Sequence, residues 1–202
     1  MSISLKDRSL ISIYDYTPEE ICHILDIAED FEKNRLQNLL NGRVIASLFF
    51  EPSTRTRLSF ETAIQLLGGN VIGFSSTAGT SVQKGESLYD TVKTFESIGA
   101  DGVVIRHSKD EYFKELEGIN IPVFNGGDGK SNHPTQSLLD LMTIYEEFGS
   151  FKGLKCCIVG DISHSRVAHT NIEVMERLGM EVYISGPEEY NDGSAKYLNI
   201  DE

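Results

Sequence analysis

The chain has 202 residues, 40% of them hydrophobic and 24% charged, which is typical of one large globular domain or of one domain and part of a second. Its net charge of −13 argues against a nucleic-acid surface, because binding to a phosphate backbone needs a surplus of Lys and Arg. The three cysteines suggest no disulfide framework, and neither a signal core nor a membrane-length apolar run is evident. We therefore expect a cytoplasmic protein.

Strand-like and helix-like patterns alternate along the chain. The predicted elements, in order, are a helix starting at Thr17-Pro18-Glu19-Glu20, a strand over 44–50, a helix over 54–67, a strand over 71–74, a helix capped by Ser87, strands over 103–105 and 123–125 separated by a short helix over 111–116, a helix over 134–148, a strand over 155–159, a helix ending at 178 and a strand over 182–184. Repeated βα units predict an α/β fold with a doubly wound parallel sheet and helices on both faces.

The pattern also predicts two domains. Residues 1–149 contain enough strands to close a core, and they include the linking helix over 134–148. Residues 150–202 supply only two predicted strands and one helix before a polar tail over 188–202. We therefore expect a partial second α/β domain in residues 150–202.

Ligands of parallel sheets bind at the carboxyl ends of strands, so the loops that follow strands are the first places to search. The loop over 51–57 carries Ser53, Thr54, Arg55 and Thr56 at the start of a helix. Unpaired N–H groups, hydroxyl donors and a guanidinium fork together favour a small phosphorylated ligand. A Walker loop is excluded because its Gly-rich run is absent. The alternative is a capped helix with exposed arginines.

Other strand-end loops carry further donors and cations. These are Lys84 in the loop over 75–86, Arg106 after the strand over 103–105, His133 and Gln136 at the start of a helix, and Arg166 after the strand over 155–159. Three of these residues have a structural alternative: a solvated lysine for Lys84, a structural salt bridge for Arg106 and a capping histidine for His133. Without an obvious nucleophile or metal-ligand spacing, the set favours a transfer reaction in which the protein positions two anions and stabilises developing charge.

Five segments resemble the aspartate carbamoyltransferase family. They are FFEPSTRTRLSFE over 49–61, SVQKGES over 81–87, VIRH over 104–107, HPTQSLLDL over 133–141 and GDISHSRVA over 160–168. The resemblance covers nearly the whole chain. It implies direct transfer of a carbamoyl group from carbamoyl phosphate to the amine of L-aspartate, in the first committed step of pyrimidine synthesis.

The resemblance also implies a role for each site residue. The phosphate would be held by Ser53, Thr54, Arg55 and Thr56, and the carbamoyl carbonyl would be polarised by Thr56, Arg106 and His133. Gln136 would bind the carbamoyl amino group, and Arg166 would bind an aspartate carboxylate. Ser81 and Lys84 would reach the site of a neighbouring subunit, where Lys84 meets both substrates. The family is expected to work as a homotrimer without cofactor or catalytic metal. A regulatory chain or dihydroorotase is a further candidate partner.

Two alternatives remain open. An ornithine carbamoyltransferase-like enzyme shares the phosphate loop but typically has Cys where Thr135 stands, and Lys84 and Arg166 suit a dicarboxylate better than a cationic acceptor. A non-catalytic companion subunit would keep only the phosphate cradle. Since the family's second domain extends beyond residue 202, where it supplies a further arginine and a loop, we expect this chain to bind carbamoyl phosphate with little or no turnover.

Overall fold

The computed structural model describes residues 3–34, 38–129 and 131–199. Its elements are helices α1 (Pro18–Lys33), α2 (Thr54–Leu66), α3 (Leu88–Ser97), α4 (Pro134–Phe148) and α5 (Arg166–Arg177), strands β1 (Val44–Phe49), β2 (Asn70–Phe74), β3 (Gly102–His107), β4 (Val123–Asp128), β5 (Lys155–Val159), β6 (Glu181–Ser185) and β7 (Lys196–Tyr197), and short 3-10 helices at Ile13–Asp15, Ser81–Lys84, Tyr112–Leu116 and Glu188–Tyr190. In these described ranges no helix is both long enough and apolar enough to cross a membrane.

The contacts divide the chain into two compact units. The first unit comprises residues 1–11 and 26–129, and the second comprises residues 12–25 and 130–202. The domain boundary after residue 149 stays a prediction. The two units are defined by contacts, and they place the linking helix α4 with the residues that follow it.

The first unit contains a four-stranded parallel sheet in the order β2-β1-β3-β4. Alternate residues of β1 enter different cores: Ile45 and Phe49 pack with Ile64 of α2, whereas Ala46 and Leu48 belong to the cluster that contains α3. Because side chains of a strand point alternately to opposite faces, the two clusters show that helices cover both faces of this sheet. The predicted α/β fold is confirmed.

Local capping explains where the helices begin. At the start of α1 the Thr17 N–H donates to Glu20 Oε2 at 2.9 Å, and the Glu20 N–H donates to Thr17 Oγ1 at 3.2 Å. At the start of α3 the Ser87 hydroxyl accepts from the Asp90 N–H at 3.0 Å. These side chains satisfy N–H groups that a helix leaves without a partner in its first turn, so both predicted starts are confirmed.

The second unit contains a three-stranded parallel sheet in the order β5-β6-β7. The prediction of only two strands here was wrong, because Tyr183 and Ile184 of β6 pair with Lys196 and Tyr197 of β7. A strand of two residues has too little sequence to show an alternating pattern. The last residues of the predicted polar tail, 200–202, lie outside the described residues.

Two strands of the first unit are longer than predicted. β3 continues through Arg106 and His107, and β4 continues through the glycines of the predicted loop as far as Asp128. The register shifts here: Ile105 pairs with Asn125, but His107 pairs with Asp128. Gly126 and Gly127 of β4 therefore lie opposite the single residue Arg106 of β3. Two residues opposite one form a β-bulge, here at the carboxyl end of the sheet.

Candidate functional site

The predicted phosphate loop lies at the carboxyl end of β1. Ser53 is the N-cap residue of α2, with extended backbone angles, yet its hydroxyl makes no capping hydrogen bond. Thr54 and Arg55 are exposed on the first turn of the helix. The start of α2 therefore presents backbone N–H groups, hydroxyls and a guanidinium to solvent, together with the positive end of the helix dipole.

The two arginines of this loop differ in their contacts. Arg57 Nη1 donates to Glu61 Oε2 at 2.8 Å, and Glu61 Oε1 accepts from the hydroxyl of Ser47 in β1 at 3.0 Å. Glu61 thus ties α2 to the sheet, and Arg57 is paired with the same carboxylate. Arg55 makes no ion pair or side-chain hydrogen bond to any residue in the described ranges, so its guanidinium is available to an anion.

Arg106 lies beside the same loop. Its side chain is 12% exposed, its Nε lies 3.3 Å from Glu51 Oε2, and its Nη1 donates to the carbonyl oxygen of Gly126 at 3.3 Å. A methyl group in place of the Gly126 hydrogen would lie 3.7 Å from Arg106 Cβ and 3.7 Å from Thr56 Cγ2. Thr56 and Arg106 therefore both lie close to Gly126 at this end of the sheet, at ordinary van der Waals distances from the position of an added Cβ.

The segment with Ser81 and Lys84 has more structure than the sequence indicated. The loop over 75–86 was expected to lack structure, but it contains the 3-10 helix Ser81–Lys84, which ends at Gly85 with a φ of 91°. Both Ser81 and Lys84 are exposed. In the part of the first unit that the structure describes, Lys84 makes no ion pair and no side-chain hydrogen bond to the phosphate loop.

The second unit holds the remaining predicted residues. His133 is the N-cap residue of α4 and is 7% exposed, and its Nδ1 lies 3.4 Å from Thr135 Oγ1. The positive end of the helix dipole at this position disfavours an imidazolium. One turn on, Gln136 Nε2 donates to Asp140 Oδ1 at 3.1 Å.

Arg166 is the first residue of α5. The hydroxyl of Ser165, which precedes it, caps the helix by accepting from the Ala168 N–H at 3.2 Å. The Arg166 side chain is half-buried at the carboxyl end of β5. An arginine at a helix start is well placed to bind a carboxylate, because its charge adds to the N–H groups of the first turn.

Several residues that shape the site were not predicted from the sequence. The carboxyl group of Glu51 holds Arg106, and the side chain of Asn125 builds the bulge through its acceptor contact with the Gly127 N–H at 2.8 Å. Asp140 orients Gln136. The contacts of Glu51 and Asn125 depend on tertiary structure and could not be predicted from the sequence. The contact of Asp140 could have been anticipated, because Asp140 follows Gln136 by four residues in a helix.

The chain resembles known proteins over nearly all of its length. Residues 8–146 match the family model described as aspartate/ornithine carbamoyltransferase, carbamoyl-P binding domain. The chain is 51% identical over 197 residues to the aspartate carbamoyltransferase catalytic subunit of Staphylococcus carnosus, an alignment that covers 96% of this chain. It spans 65% of the length of that relative.

Solved structures have the same fold. The catalytic subunit of M. jannaschii aspartate transcarbamoylase superposes with a TM-score of 0.85 at 38% identity, over 95% of this chain and 68% of that chain. Aspartate transcarbamoylase from Trypanosoma cruzi, solved in complex with carbamoyl phosphate and aspartate, gives a TM-score of 0.84 at 29% identity, over 96% of this chain and 71% of that chain. The matched domain, the relatives and the fold agree, and the chain belongs to the aspartate/ornithine carbamoyltransferase family.

Proposed function

We propose that this protein transfers the carbamoyl group of carbamoyl phosphate to the amine of L-aspartate. In the reaction an N–C bond forms to the carbamoyl carbon, the C–O bond to phosphate breaks, the amine loses a proton, and phosphate leaves with the electron pair of the broken bond. The observation that carries the proposal is the uncapped start of α2, where exposed Arg55 precedes Thr56, a residue that like Arg106 lies close to Gly126.

The first unit supplies the groups for the phosphate and the carbonyl. Ser53, Thr54 and Arg55 bind phosphate oxygens at the start of α2, and Arg55 stabilises the charge that grows as phosphate leaves. Thr56 and Arg106 polarise the carbamoyl carbonyl. Their common proximity to Gly126 supports a shared role.

The second unit supplies groups for the carbamoyl and aspartate ends. His133, as a neutral imidazole at the start of α4, donates to the carbonyl oxygen, and Gln136 binds the carbamoyl amino group. Arg166 binds a carboxylate of aspartate. Lys84, presented by a neighbouring chain, completes a cationic environment that favours a dicarboxylate over a cationic acceptor.

We further propose a cytoplasmic homotrimer that serves pyrimidine biosynthesis. The exposed positions of Ser81 and Lys84 support a subunit-bridging role, because side chains directed at solvent in one chain are available to a second copy. The names of the relatives support the pathway, since carbamoyl aspartate is the product of the reaction for which they are named.

The acceptor is tested by offering L-aspartate and L-ornithine separately with carbamoyl phosphate, both to this chain and to a version extended to the full length of the relatives, and measuring the carbamoylated amino acid and released phosphate. The extended version is expected to give carbamoyl aspartate as its preferred product, and the 202-residue chain to give little or no turnover. Preferential carbamoylation of ornithine would contradict the assignment of Lys84 and Arg166. Phosphate release that is independent of either acceptor would contradict the transfer reaction itself.

A further inference from the structure

Asp140 of α4 accepts hydrogen bonds from two side-chain amides. Gln136 Nε2, one turn earlier on the same helix, lies 3.1 Å from Asp140 Oδ1. Asn171 Nδ2 of α5 lies 2.6 Å from Asp140 Oδ2. All three residues belong to the second unit, and Asn171 is only 7% exposed.

The chemistry of these three groups determines how both amides must turn. A carboxylate accepts hydrogen bonds and has no proton to donate, so each amide presents its NH₂ group to Asp140. In this orientation Asn171 Oδ1 is buried and has no hydrogen-bond partner among the described residues. In the opposite orientation the oxygen would face the Asp140 carboxylate, and the NH₂ group would need another acceptor. This unmet oxygen indicates that the contact with Asp140 decides the orientation of Asn171.

The same constraint fixes Gln136. Because one N–H of its NH₂ group is bound by Asp140, the amide oxygen points away from this carboxylate and is available to a donor on a ligand, beside the second N–H. An amide oxygen accepts from an N–H donor but gains nothing from a methyl group. The oxygen of half-buried Gln136 is therefore held in a position to accept from a donor on the ligand. A glutamine free to rotate could present either its oxygen or its NH₂ group at that position.

We propose that Asp140 is a positioning residue that holds the Gln136 amide with its oxygen toward the ligand, and so selects a carbamoyl group over an acyl group. Asn171 supports this function by fixing the second carboxylate oxygen. The inference rests on the proposed function, since it takes the donor to be the NH₂ group of carbamoyl phosphate.

Carbamoyl phosphate and acetyl phosphate are suitable probes, because they share the phosphate and the carbonyl and differ in an NH₂ group against a methyl group. The affinity of the unmodified chain for both is measured by calorimetry. Asp140→Ala is expected to weaken carbamoyl phosphate binding about tenfold, the equivalent of one well-oriented hydrogen bond, and acetyl phosphate binding by less than about twofold. Glu147→Ala, which removes an exposed carboxylate from the same helix, is the matched control and leaves both affinities unchanged.

Two further variants separate positioning from folding. Asp140→Leu removes both hydrogen bonds but retains side-chain volume, and it should lose the same preference in a chain that still melts cooperatively. In a Gln136→Ala background, Asp140→Ala should have no further effect on the preference, because the amide through which it acts is gone.

The outcomes distinguish this inference from the proposed function. An unchanged preference in either folded Asp140 variant overturns the inference, as does an equal loss of affinity for both probes. Failure of the unmodified chain to bind carbamoyl phosphate contradicts the proposed function instead.

Discussion

Arg55 and Arg57 are two residues apart, and within the described residues only Arg57 pairs with another side chain. Arg57 is bound to Glu61, which also holds the buried hydroxyl of Ser47, whereas Arg55 projects from the first turn of α2. The sequence indicated an anion site on this loop without assigning different contacts to the two guanidinium groups, although Arg57 and Glu61 have the four-residue spacing of a helical ion pair. The link from Glu61 to Ser47 in β1 depends on folding.

Substitution of each arginine in turn tests this division. Arg55→Ala should weaken inorganic phosphate binding by at least about tenfold, the scale of a charge-assisted hydrogen bond, and change the free energy of unfolding by less than about 0.5 kcal/mol. Arg57→Ala should instead lower the free energy of unfolding by about 1 kcal/mol. Calorimetry and urea unfolding measure the two quantities, and the reverse pattern would assign Arg57 to the ligand.

His107 should stay neutral below the usual pH for histidine. Burial lowers its pKa from the ordinary value of 6.5, and the nearby charges of Glu115 and Glu51 oppose this shift while that of Lys109 adds to it. Its Nδ1 accepts from the Lys109 N–H at 2.9 Å, a contact that needs an unprotonated nitrogen.

Since the folded pKa is depressed, the stabilisation from neutral His107 is present above pH 6.5 and is lost as the pH falls through the folded value. Two-dimensional NMR of the histidine ring resonances should give a midpoint below 6.5. A midpoint at or above 6.5 would contradict the half-buried position of the ring.

At the scale of elements, the β3–β4 bulge shapes the site and was not predicted. Asn125 is fully buried; its Oδ1 accepts from the Gly127 N–H at 2.8 Å, and its Nδ2 donates to the Ile11 carbonyl at 2.9 Å. The hydroxyl of Tyr112 lies 3.3 Å from the same Oδ1. The sequence correctly indicated a strand as far as Asn125, but the glycines that follow it are typical of a loop, and only the register with β3 makes them a bulge.

Asn125→Ala should lower the free energy of unfolding by at least about 2 kcal/mol, because buried backbone groups lose their partners. Tyr112→Phe, which removes one hydroxyl and keeps the ring, should cost about 1 kcal/mol. Urea unfolding of both variants checks the order. A smaller loss for Asn125→Ala than for Tyr112→Phe would mean that the bulge does not depend on Asn125.

At the scale of the whole molecule, the alternation of apolar strands and amphipathic helices was enough to predict the α/β fold. The continuous apolar run of β1 and the capping residues Thr17 and Ser87 gave element types and starts correctly. Strand β7 could not be predicted, because its two residues gain their structure from pairing with β6. The predicted site roles draw on loops far apart in sequence. The contact of Glu51 with Arg106 is evident only in the folded chain, whereas Asp140 has the helical spacing from Gln136 that indicates a contact.

A mixing experiment tests the proposed bridging role of Lys84. Arg55→Ala and Lys84→Ala chains should each bind carbamoyl phosphate weakly alone. If the two are mixed at random and assemble as the proposed trimer, about a quarter of the native sites should be regained, because there an intact Arg55 meets an intact Lys84 from a neighbour. Calorimetry counts the sites. A mixture that binds no better than its two components would place Lys84 outside the neighbouring site.

The most direct test of the central claim is titration of the unmodified chain with carbamoyl phosphate in a calorimeter. Residues at the start of α2 and at the end of β3 should bind it with a dissociation constant below about one millimolar. Arg55→Ala, measured in parallel, should reduce the heat to near that of dilution. Absence of measurable heat from the unmodified chain at millimolar ligand would contradict the assignment of this loop as a carbamoyl phosphate site.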